Sequence, residues 1–128
     1  MKKVFCILLW IASAFYFFEA VIHTFGLPIL EHDKIFLPTH DRYIAIMALT
    51  YAALFLLIST NPKRHQELFV LTMIGVLVSM MNAMVVAYHH WYTILFNTTG
   101  LDQNLSVIGA GVLIWYTLTW LFWWRIRA

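Results

Sequence analysis

Four apolar runs dominate this chain, at residues 4–26, 43–60, 68–92 and 105–124. Each is near the ~20 residues that an α-helix needs to cross the hydrocarbon of a bilayer. Lipid gives backbone N–H and C=O groups no partners, so a spanning segment must be a helix or part of a closed barrel. These runs are too long for barrel strands. The chain is 62 % hydrophobic and 11 % charged, and a 15.0 kDa globule has too little interior to hide that apolar surface. The connections leave no room for a separate soluble domain. The expected architecture is an all-α integral membrane protein, a single four-helix transmembrane domain over residues 1–128.

The basic residues set the orientation. Lys2, Lys3, Lys63, Arg64, Arg125 and Arg127 fall at one set of helix ends, and Lys34 and Arg42 at the other. Because cytoplasmic connections carry the excess of Lys and Arg, this split places both termini inside, N-in and C-in. The acids run the other way, with Glu31, Asp33, Asp41 and Asp102 outside and only Glu67 inside. The plasma (cytoplasmic) membrane is the expected location. The formal charge of +2 therefore hides a polarised molecule, and topology accounts for its basic side without nucleic acid. Lys2-Lys3 and Ala12-Ser13-Ala14 resemble parts of a signal peptide. The apolar run continues through Phe15-Tyr16-Phe17-Phe18, so an uncleaved first helix is expected. Cys6 is the only cysteine, which excludes an internal disulfide and a cysteine metal cluster.

The same topology puts five of the six histidines on the outer side. His23, His32, His40, His89 and His90 lie in or next to the two outer connections, and only His65 lies in the basic one. Imidazole beside carboxylate is the raw material of a metal site, a haem pocket or a proton relay. Glu19 and His23 are four apart on the first helix, hence on one face. Glu19 lies roughly 10 Å inside the outer end, at ~1.5 Å of rise per residue. A charge in a membrane helix costs about 2.5–3.5 kcal/mol at the centre, somewhat less away from it. Glu19 is therefore expected to be protonated, paired with a cation such as protonated His23, or ligating a metal. The plainer reading is a neutral hydrogen bond between helices.

On the third helix Asn82 shares a face with one of His89 and His90, which point about 100° apart. The expected metal set is Glu19, His23, His32, Asp33, His40, Asp41, His89 and His90, with the outer loop closing over the helices. That loop, residues 27–41, is too apolar to be free and is bracketed by Pro28 and Pro38. It is expected to be structured, with Thr39 or Asp41 capping the second helix. Imidazoles with carboxylates suit copper, zinc or iron, and two histidines from two helices would instead hold haem b. In ligand chemistry alone, Glu19-x3-His23 followed by a later histidine resembles the Asp-x3-His…His site in the C subunit of particulate methane and ammonia monooxygenases. That resemblance concerns ligand chemistry and assigns no family.

Packing signals complete the reading. Gly75, Ser79, Ala83 and Ala87 recur every four residues, and Ala45, Ala48 and Ala52 lie near one face. Small residues let helices approach closely in lipid, and Val76, off the stripe, is expected to face lipid. Trp115, Tyr116, Trp120, Phe122, Trp123 and Trp124 before Arg125 look like an interfacial aromatic belt. Asn97-Thr98-Thr99 and Asn104-Leu105-Ser106 match the glycosylation pattern. No Gly-rich phosphate loop, nucleophile elbow or set of histidine boxes commits the chain to enzymatic chemistry. The expected function is that of a small subunit of a larger membrane complex, with an outward His/carboxylate site for a metal ion or metal cofactor. Its partners would be the lipid bilayer, other membrane subunits or a homo-oligomer. The rivals are a purely structural accessory subunit and a small proton- or metal-coupled carrier using Glu19 and His23 as a relay.

Overall fold

A computed structural model of the protein describes residues 1–29, 37–89 and 101–127, the side chains of 86–87 and 101–106 excepted. Four helices account for nearly all of them: α1 (Lys2–Phe25), α2 (Pro38–Thr60), α3 (Gln66–Tyr88) and α4 (Leu101–Arg127). Each is long and apolar enough to cross a membrane, and there is no strand among the described residues.

The helix ends follow local chemistry. Gly26 takes the left-handed conformation (φ 63°) and its N–H returns to the Ile22 carbonyl, which stops α1 three residues after His23. Helix α2 begins at Pro38, earlier than the apolar run suggests, because proline is preorganised for the first helical turn, where no N–H is needed. His40 and Asp41 are therefore helical residues. They do not belong to the loop expected to close over the site. Asn61 ends α2, and its carbonyl accepts the Arg64 and His65 N–H groups at 3.1 and 3.2 Å, making the tight turn into α3.

Helices α1 and α2 form the most extensive pair, antiparallel and in register. Cys6 Sγ lies 3.6 Å from the Ser59 carbonyl, Ser13 Oγ donates to the Ala52 carbonyl at 2.8 Å, and His23 meets Asp41. Steps up α1 are thus matched by steps down α2. The three alanines expected to make a close-packing face do so: Ala45, Ala48 and Ala52 are all buried. Helix α3 packs chiefly on α4. The main apolar cluster joins Phe5, Leu9, Ala12, Phe55, Ile58, Phe69, Met73, Val76 and Trp123. Phe69 is its hub, edge-on to Phe5 and Trp120 and stacked on Trp123, each at 5.3 Å between ring centres.

Two expectations are corrected by this packing. Val76 faces the core, not lipid, with 1 % of its surface exposed. The buried face of α3 is Phe69, Thr72, Met73, Val76 and Met80, while Gly75, Ser79 and Ala83 run along its half-buried edge. Large side chains won the centre of this interface because they fill it, and the small residues mark where α2 approaches. Nor are all the tryptophans a belt. Trp123 is buried and Trp115 donates its indole N–H to the Leu8 carbonyl at 2.9 Å. Trp124 is exposed beneath Arg127.

Candidate functional site

The antiparallel bundle collects the start of α1, the end of α2, the start of α3 and the end of α4 at one end. Lys2, Lys3, Lys63, Arg64, Arg125 and Arg127 all sit there. The aromatic core occupies this half. At the other end the α1–α2 seam is lined by Ala20, Ile22, His23, Asp41 and Ala45, and it is closed by charge.

Three of the expected site residues meet there. His23, in the last turn of α1, has Nδ1 2.7 Å from Asp41 Oδ1 and Nε2 3.3 Å from Glu19 Oε2. All three side chains are shielded, at 13 % exposure or less. Asp41 uses its second oxygen to accept the Leu37 N–H at 2.7 Å, while its own N–H donates to the Leu37 carbonyl at 2.8 Å. The N-cap of α2 is Leu37, without a side-chain cap bond, and not Thr39 or Asp41 as expected; Asp41 reaches back from the first turn to the Leu37 N–H and is also the link between helices. The end of α1, the start of α2 and the end of their connection are held by one carboxylate.

Hydrogen-bond accounting defines what this arrangement can do. Neutral imidazole has one N–H and one acceptor nitrogen, whereas a carboxylate only accepts. With two protons shared across the three groups, each ring nitrogen can share a hydrogen bond with the carboxyl group it faces. Both reside on the ring, or one is on the ring and one on a carboxyl. The net charge is −1 either way. A proton can therefore change places inside the triad without changing the charge that the apolar surroundings must bear.

Of the remaining predicted residues, only His40 and His89 are among those described. His40 is exposed on the first turn of α2, and His89 is exposed just past α3. His32, Asp33 and His90 lie outside the described residues. Among the described residues, no group of three or more His, Cys, Asp or Glu has the arrangement of a metal site. The local reason is that both His23 nitrogens already face carboxylates, whereas a metal ligand must direct a ring lone pair at the ion.

Several polar residues of the same seam escaped the sequence reading. Ser13 bonds to Ala52, Trp10 Nε1 donates to Ser59 Oγ at 3.0 Å, and Tyr16 lies 5.1 Å from Tyr51 and 5.9 Å from Phe55 between ring centres. For Tyr16 the signal was a seam of three- and four-residue steps through Leu9, Ala12, Tyr16, Ala20 and His23. No family model, no curated protein and no solved structure matches this chain.

Proposed function

We propose that this chain is a small membrane protein of the plasma membrane, with both termini in the cytoplasm, that exchanges protons through Glu19, His23 and Asp41 near its outer face. It would do so as a subunit of a larger membrane complex or of a homo-oligomer. One observation carries the reading: a histidine with a carboxylate at each ring nitrogen, shielded at the end of an otherwise apolar helix pair. Ionisable groups at membrane depth are expensive, and that cost favours a functional reason for keeping three together. The basic end of the bundle supports the orientation.

A second reading has its own support. The Asp41–Leu37 bond makes the triad a clasp for the α1–α2 connection, which suits a purely structural accessory subunit. Infrared difference spectra of the purified protein across a pH titration separate the two. A proton-exchanging triad gives carboxyl and imidazole bands that change together, and Glu19→Gln or Asp41→Asn abolishes that joint step. A clasp gives no such step, and Glu19→Gln leaves its stability nearly unchanged. The metal reading is tested on the same sample. Stoichiometric copper, zinc or iron, or the absorption of haem b, would overturn the proton-exchange proposal.

A further inference from the structure

A groove of about 360 Å³ runs along the outside of α4, lined by Tyr116, Thr117, Trp120, Leu121 and Trp124. Its one hydroxyl donor besides Tyr116 is already used, since Thr117 Oγ1 donates to the Leu113 carbonyl at 2.9 Å. Apart from the Tyr116 hydroxyl and the Trp120 and Trp124 indole N–H groups the lining is apolar, and Trp124 is its residue nearest the basic end of the bundle. Arg125 follows Leu121 by four residues and Arg127 follows Trp124 by three, so each stands one turn beyond a groove residue. The Arg127 guanidinium lies 3.4 Å from the centre of the Trp124 ring and 5.1 Å from that of Trp123. A guanidinium stacked through its face keeps its N–H edge available, in the planar fork that fits a phosphate. Among the described residues neither arginine has a carboxylate at ion-pair distance.

A largely apolar face of α4 with a stacked cation at one end matches a ligand with an acyl tail and an anionic head. We propose that this groove is a binding site for an acidic phospholipid, with an acyl chain along Tyr116, Trp120, Leu121 and Trp124 and the headgroup phosphate at Arg127. The occupant is a lipid of the leaflet at the basic end. The proposal stands independently of the triad.

The test uses the full chain reconstituted with brominated phosphatidylglycerol or brominated phosphatidylcholine of the same acyl chains, with tryptophan quenching as the readout. Wild-type protein should prefer phosphatidylglycerol several-fold. Arg127→Gln should lower that preference, by about five-fold or down to none, as expected for loss of one cation near an anionic surface. Quenching by phosphatidylcholine should be unchanged. Lys63→Gln, at the same end but on the α2–α3 turn, should keep the preference. Equal quenching by the two lipids in wild type overturns the proposal. So does a loss with Lys63→Gln as large as that with Arg127→Gln, because the preference would then belong to the whole basic end. Thermal unfolding of each variant confirms that the quenching is read from folded protein.

Discussion

At the scale of single residues, His23 holds more than it would by packing alone. Replacing it with alanine leaves Glu19 and Asp41 facing one another across a shielded gap. Removing one partner from a buried charged set commonly costs about 3–5 kcal/mol. His40→Ala, on an exposed side chain, should fall within about 0.5 kcal/mol of wild type. Thermal unfolding in mild detergent reads the difference, and equal losses for the two variants would mean that the triad does not hold the bundle end. Part of this site was legible in the sequence. The Glu19–His23 spacing fixed a shared helical face, and Asp41 stood among the candidate ligands. The pairing of His23 with Asp41 was not legible, because it depends on where Gly26 stops α1 and where Pro38 restarts the chain. Depth and helical spacing offered one of His89 and His90 to the same pocket; His89 is exposed beyond the last turn of α3, and His90 lies outside the described residues.

Among the elements, the contact between α2 and α3 turns on one glycine. A β-carbon added at Gly75 would collide with the Tyr51 hydroxyl, and Tyr51 cannot simply swing away because its ring packs against Tyr16. Alanine at a helical position is otherwise better than glycine by about 0.8–1.0 kcal/mol. Gly75→Ala should therefore lose that gain and destabilise the wild-type background, while in a Tyr51→Phe background the cost should shrink. A coupling of at least ~0.5 kcal/mol in the double-mutant cycle is expected for residues in such contact. Additive effects would show that the approach is looser than the geometry implies. On α2, Ala48 is 2 % exposed. Ala48→Leu should cost about 1–3 kcal/mol by overpacking the α1–α2 seam, whereas Ala53→Leu, on the exposed face, should be near neutral. The small-residue pattern told that α2 and α3 have close neighbours. It did not tell which neighbour each stripe meets, since a stripe fixes a face and only the tertiary arrangement fixes its partner. Val76 shows the limit: on a helix apolar all round, hydrophobicity cannot separate a core-facing side from a lipid-facing one.

For the whole molecule, two ends of unlike chemistry organise the bundle. The basic end carries the aromatic core and six cations, and the other end carries the carboxylate–imidazole triad. Four spans were readable from hydropathy because only a helix that satisfies its own backbone survives in lipid. The gathering of six of the eight Lys and Arg residues at one end follows once alternate helices run in opposite directions. That arrangement makes the orientation testable in one experiment. In a Cys6→Ser background, single cysteines at Asp33 and Gln103 should react with a membrane-impermeant reagent added to intact cells, and one at Lys63 should be spared until the membrane is opened. Cys6 tolerates this change because its sulfur makes only a 3.6 Å contact with the Ser59 carbonyl, which a serine hydroxyl can replace. Labelling at Lys63 with protection at Asp33 and Gln103 would invert the molecule. The triad would then face the cytoplasm, the lipid groove would meet the outer leaflet, and proton exchange with the outside would lose its route.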